Sequence, residues 1–283
     1  MDAARPSTTA MMVAVSRDAH RVSDEPPWIL DDPYARVLVG PAWSDIRASA
    51  EATFPEPVRR QVRAAIVVRS RYAEDRLDAG PYRQYVILGA GLESFAWRRP
   101  DLVDRLRLFE VDHPTTQAWK RARVHDVGLP VHGRHIFAPI DFETDTLQTG
   151  LDRAGLDWSQ PTFFSWLGVT MYLTIEAIEG ILRTVAACGP GSEIVLSYDN
   201  SDPFLDEIGQ QLRDAESDLV ASIGEPYTTR LSPAEADALV ERCGLEVAEH
   251  PTPDVLYDRY FSDRDDGLRP STAERLIAAR VPS

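Results

Sequence analysis

Cysteine is almost missing from this chain, with Cys188 and Cys243 as its whole complement. Each stands just before a glycine near the end of a predicted helix, with no metal-ligand spacing around it. That excludes a disulfide framework and points to buried free thiols in a reducing cytoplasm. Long apolar runs are scarce too. The best, TFFSWLGVTMYL (162–173), is broken by polar residues and too short for a bilayer, so no membrane association is expected. The first twenty residues have no continuous apolar core followed by a small-residue cleavage site, so no secretory leader is expected. Positive charge is in deficit: 30 Lys and Arg against 45 Asp and Glu leave a formal −15, which argues against a nucleic-acid partner. There is no internal repeat, no Ser-His-Asp order and no Gly-x-x-x-x-Gly-Lys loop, so hydrolase and kinase chemistry have no support.

What is present fits one large α/β domain with an added cap: 283 residues, of which 43% are hydrophobic and 27% charged. Residues 1–56 begin with a helical stretch, Thr8 to Arg21, and continue into DEPPWILDDPYARVLVG, a Pro-rich aromatic segment suited to covering something. These residues are read as a cap, and 57–283 as the main domain. Val58 to Leu77 carries apolar residues at helical spacing, and Gly80-Pro81 ends it. Strands are predicted at 85–91, 106–112, 135–141, 161–168 and 192–199, with helices at 115–126 and 175–188 among them. Helices at 205–222 and 232–244 and strands at 245–252 and 275–281 complete the chain. Such alternation predicts a Rossmann-like, mostly parallel seven-stranded sheet with helices on both faces. Ligands of such sheets sit at the carboxyl ends of the strands.

The first strand runs into VILGAGLES (86–94), where the bend Gly89-Ala90-Gly91 lets backbone amides approach a ligand. The second ends in FEVDHP (109–114), with Asp112 lying 21 residues after Gly91. A carboxylate there accepts the hydroxyls of a ribose. Glu110 points the same way two residues earlier, so either acid serves, with Asp112 preferred as nearer the loop. Bend and acid together suit a dinucleotide as well as S-adenosyl-L-methionine. The dinucleotide fingerprint wants Gly or Ala where this chain has Ser94, which disfavours NAD.

The runs VILGAGLESFAWRRPD and LFEVDHPTTQAWKRAR, with the ending DGLRPSTAERLIAARV, resemble the leucine carboxyl methyltransferase family and its bacterial relatives, polyketide O-methyltransferases among them. The resemblance implies a class I methyltransferase fold, S-adenosyl-L-methionine as methyl donor and a small-molecule or peptide acceptor. It also implies roles. Arg69 in VVRSRYAED matches the arginine that takes the methionine carboxylate, for which a bidentate guanidinium is suited. Gly89 matches the glycine-bend contact, Asp112 the ribose ligand, and Asp141-Phe142 an Asp-Leu pair that holds the adenine. One departure stands out: where the family pattern AEGLLMYL has Glu, this chain reads SWLGVTMYL and places Leu167, the one sequence feature in favour of a second alternative, a non-catalytic S-adenosyl-L-methionine-binding protein on the same fold.

Methyl transfer from a sulfonium is an in-line displacement, so orientation supplies much of the rate. A base is needed only for an acceptor protonated at neutral pH. His20 and His113 are the histidines weighed for that task, and Tyr172 is read as a core aromatic. Residues 1–56 and the 200–230 region are expected to cover the acceptor.

Overall fold

The structure is a computed structural model, and it describes residues 7–142, 144–202, 205–222 and 227–282, with the side chains of 215–222 left aside. Its centre is a seven-stranded sheet of order β3-β2-β1-β4-β5-β7-β6. The strands are β1 Gln84–Leu88, β2 Arg107–Asp112, β3 His135–Pro139, β4 Thr162–Trp166, β5 Glu193–Asp199, β6 Glu246–Glu249 and β7 Glu274–Arg280. The first five pair in parallel, while β7 runs antiparallel between β5 and β6.

Every residue of β1, β4 and β5 is buried. Helices on both faces demand this, and it is why these strands read as near-continuous apolar runs. Alternate side chains enter opposite cores: Tyr85 and Ile87 join one cluster, Val86 and Leu88 the other. The first core is closed by α4 (Glu56–Ala79), α5 (Phe95–Arg98), α6 (Pro100–Val103), α7 (Pro114–Asp126) and α12 (Pro253–Tyr260). The second is closed by α8 (Leu147–Ala154), α9 (Ile175–Ala186) and α11 (Pro233–Arg242), the last started by a Ser232/Glu235 capping box.

Before the sheet stand α1 (Thr8–Ser23), α2 (Ala35–Val39) and α3 (Trp43–Thr53), and α10 (Glu207–Ser222) packs on α4. Met11, Ala14, Val15, Ala35 and Val39 share a small core of their own with Leu92, just past the glycine bend. The sequence reading assigned no element to Trp43–Thr53. The helix is held there by tertiary contacts: Trp43 and Ile46 pack on the α1 cluster, and the guanidinium of Arg36 from α2 lies 4.0 Å from the Trp43 ring. The last two predicted strands are present, the first shortened to Glu246–Glu249. No helix among the described residues is long and apolar enough to cross a membrane.

Candidate functional site

Between β1 and β4 the strand order reverses, and a cleft opens above their carboxyl ends, where helices diverge to the two faces. This cavity, about 680 Å³, has the glycine bend and the ends of β2, β4 and β5 for a floor. Its walls are α1, α3, the first half of α4, and residues Leu212, Tyr227 and Thr228.

The floor is shaped by absent side chains. Gly89 and Gly91 hold φ of 68° and 47°, a region that L residues avoid. A Cβ on Gly89 would stand 2.5 Å from Val169 Cγ2, and one on Gly91 would stand 3.1 Å from Ala10 Cβ in α1. The cap therefore sits directly on the bend. Beside it, Asp112 Oδ2 accepts from the Gly91 amide at 2.5 Å and Oδ1 from the His113 amide at 2.7 Å. Each carboxylate oxygen keeps further acceptor capacity for a pair of hydroxyls. Burial pushes the Asp112 carboxyl up, and the two amides oppose that.

Glu110 needs correcting as an alternative ribose ligand. It is 1% exposed and absent from the cavity wall. Its Oε2 takes Lys120 Nζ, the only lysine in the chain, at 2.5 Å, and His135 Nε2 lies 3.0 Å from Oε1. Burial alone would raise its pKa, but these neighbours hold it below the ordinary carboxylate range. An acid with two cationic or polar partners in the interior is committed to them. Asp141 and Phe142 follow β3 at the same end of the sheet, yet neither lines the cavity, and Phe142 is 51% exposed.

Arg69, 8% exposed, reaches the cavity from α4. Its Nη1 donates to Glu274 Oε1 at 2.7 Å, and a Cβ on Gly168 would be 2.6 Å from its Nη2. Arg69 and Glu274 thus present opposite charges side by side, a match for the carboxylate and ammonium ends of an amino-acid tail. Glu274 begins β7 and lies opposite Asp199, the last residue of β5. Burial raises the Asp199 carboxyl, and the Glu274 charge adds to the rise; Arg230, hydrogen-bonded to Oδ2, opposes it. Leu167 and Tyr172 both line the cavity, Tyr172 edge-on to Tyr227 with ring centroids 5.3 Å apart.

Neither histidine weighed as a base lines the cavity. His20 is fully buried: Nε2 accepts from the Ile29 amide at 3.0 Å, which leaves Nδ1–H to donate to Asp24 at 2.9 Å. That pins a neutral tautomer in a structural role. The His113 ring caps α7, Nδ1 accepting from the Thr115 amide.

Sequence reasoning passed over Arg17, Asp199 and Glu274. Arg17, buried in α1, donates to Asp32 at 2.8 Å and to the Leu92 carbonyl at 2.5 Å, fastening the cap to the segment after the bend. Asp199 carried a usable signal, an acid at the end of a predicted strand. Glu274 carried none, because it reaches this end of the sheet only through the antiparallel run of β7.

Against known proteins, residues 10–186 match leucine carboxyl methyltransferase. The chain belongs to the leucine carboxyl methyltransferase family. YktD of Bacillus subtilis (strain 168), provisionally named an S-adenosyl-L-methionine-dependent methyltransferase, is 36% identical over 187 residues, covering 66% of this chain and 61% of that protein. A Mycobacterium ulcerans (strain Agy99) protein with the same provisional description is 30% identical over 97% of this chain and 94% of its own. Among crystal structures, a duf574 family protein from Streptomyces avermitilis superposes with a TM-score of 0.63 over 99% of both chains at 18% identity. A Thermobifida fusca protein, provisionally named a methyltransferase, gives 0.62 over 100% of this chain and 97% of that one at 16% identity. The two structures share the fold. As a leucine carboxyl methyltransferase family member, the chain is an S-adenosyl-L-methionine-dependent methyltransferase, and the dinucleotide alternative is set aside.

Proposed function

We propose that this methyltransferase O-methylates a small natural-product molecule, or a peptide end, at an oxygen held under the cap. The observation that carries the reading is one continuous cavity, with a glycine bend and Asp112 at its floor and α1 and α3 in its wall. When bound, S-adenosyl-L-methionine supplies a methyl group already activated by the sulfonium. The cradle fits such a donor. Gly89, Ala90 and Gly91 leave room for close backbone approach, Asp112 takes the ribose hydroxyls, and Arg69 with Glu274 takes the charged amino-acid tail. Asp141 and Phe142, outside the cavity wall after β3, are the proposed adenine contacts, a role that requires them to turn inward.

The protein's remaining task is orientation and exclusion of water. Residues 1–56 and the 200–230 region are proposed as the cover, since α1, α3 and Leu212, Tyr227 and Thr228 supply cavity wall outside the core alternation. Holding the acceptor oxygen in line at contact distance is worth several kcal/mol, about 7–11 in well-oriented systems.

Asp112→Ala tests the cofactor cradle. We expect at least a tenfold loss of S-adenosylhomocysteine affinity by calorimetry, about 1.4 kcal/mol, with the circular dichroism of the sheet retained. Unchanged affinity in that variant overturns the assignment.

A further inference from the structure

Resting on the cofactor reading above, we infer that the acceptor is a neutral, largely apolar hydroxyl compound, a phenol or enol, and that the carboxylate of Asp199 takes its proton. The first support is the charge on the cavity wall. Among the described residues no lysine or histidine lines it, and acidic residues outnumber arginines there seven to five. Each of those arginines already has an acid: Arg17 with Asp32 and Arg63 with Asp24 at 2.8 Å, Arg47 with Glu51, Arg59 with Glu56 and Arg69 with Glu274 at 2.7 Å. Arg69 is also the one assigned to the donor's own carboxylate. A carboxylate acceptor would enter an acid-rich space with no spare cation, and an unpaired buried charge is strongly unfavourable. Between the charged pairs the wall is apolar, with Met12, Val13, Ile46, Ala50, Phe54 and Leu212 available to a neutral ring.

The second support is a proton acceptor in the right place. Asp199 stands on the cavity wall at the carboxyl end of β5, across the β5–β7 register from Glu274. Arg230 occupies its Oδ2, while Oδ1 has no hydrogen-bond donor among the described residues. Three charged groups face it: Arg230 from the segment before α11, Arg213 from α10 and Glu274 from β7. A carboxylate 3% exposed with one oxygen unpaired is poised to receive a hydrogen bond. In the step, the acceptor O–H bond breaks and its proton passes to Asp199. The oxygen forms a bond to the methyl carbon as the donor's S–C bond breaks. That electron pair stays on sulfur, leaving a neutral ether and a thioether, and Asp199 then returns its proton to water.

Three matched probes test this on the full chain: 2-naphthol, 2-naphthoate and 2-naphthylmethylamine. Binding is read by calorimetry to the S-adenosylhomocysteine-loaded protein, and products are read by mass spectrometry with S-adenosyl-L-methionine. Naphthol should bind at least tenfold more tightly than naphthoate and give its methyl ether. Asp199→Asn should keep S-adenosylhomocysteine affinity within twofold yet lose about 10²-fold or more in kcat/KM. It should also abolish the acid limb of the rate profile, and Asp199→Glu should restore part of the activity, which guards against a folding defect in the Asn variant. Preferred methylation of naphthoate or of the amine, naphthoate binding as tight as naphthol, naphthol neither bound nor methylated, or a full rate in Asp199→Asn each overturns the inference. Failure to take up S-adenosylhomocysteine at all overturns the cofactor reading instead.

Discussion

Two atoms that are not there shape the floor of the cleft. At Gly89 a methyl would have to share space with Val169 Cγ2, 2.5 Å away, while the backbone held φ at +68°. The left-handed conformation alone costs an L residue about 1–2 kcal/mol. Gly89→Ala is therefore expected to lower the thermal midpoint and to weaken S-adenosylhomocysteine binding by more than tenfold, read by thermal shift and calorimetry; unchanged binding would show that the bend does not approach the cofactor. Individual atoms also separate two acids that a strand pattern treats alike. Asp112 and Glu110 lie two residues apart on β2, but only Asp112 lines the cavity. Glu110 is consumed by Lys120 and His135. Alternation places both side chains on one face and says nothing of which partner arrives from α7 and β3.

At the scale of elements, α1 is tied to α4 by a buried cluster. Arg63 of α4 donates to both oxygens of Asp24, at 3.0 and 2.8 Å, and His20 of α1 donates to the same carboxylate at 2.9 Å. Burial by itself would raise the Asp24 pKa, but these hydrogen bonds and the Arg63 charge hold it at about 2, below the ordinary 3.8. The folded form thus keeps the carboxylate ionised more readily than the unfolded chain does. That stability is fully present above the unfolded value and is lost as pH falls through it toward about 2; a shift of this size is worth about 2 kcal/mol. Segment-resolved hydrogen exchange between pH 5 and 3 should show α1 amides losing protection before those of β1 and β4. Simultaneous loss across both would refute a separately tied cap. α4 itself was legible as apolar periodicity, and α1 as a helical stretch from Thr8 to Arg21. α3 was not, because it buries no residue fully and packs through Trp43 and Ile46 on α1 and Arg36 of α2 rather than through a strong stripe of its own.

For the whole molecule, the first helix of the N-terminal segment has a core of its own, while Ile29, Leu30 and Leu38 of the same segment join a core of the sheet. The small cluster around Met11, Ala14 and Val15 is separate from the two clusters that sandwich the sheet, and it reaches the main domain through Leu92 and the Arg17 anchor. Deleting residues 1–20 should abolish methyl transfer while leaving cooperative unfolding of the sheet, followed by circular dichroism and product formation. Full activity in the truncated protein would end the assignment of this segment as the acceptor cover.

The order of apolar runs along the chain was enough to determine the alternating α/β sheet, the glycine bend after the first strand and the acid after the second. Each rests on local chemistry: period-two and period-3.6 burial, a backbone geometry open to glycine, a carboxylate at a strand end. Tertiary structure alone decided the rest. It brought Arg69 to one floor with Asp199 and Glu274, each more than a hundred residues further along the chain, and took Glu110 out of the site. It also matched Arg17, Arg63 and Arg69 of the cavity wall with acids from other segments. Those outcomes depend on which charges meet after the sheet closes, above all on β7 running against its neighbours, and no spacing within a single segment encodes that meeting.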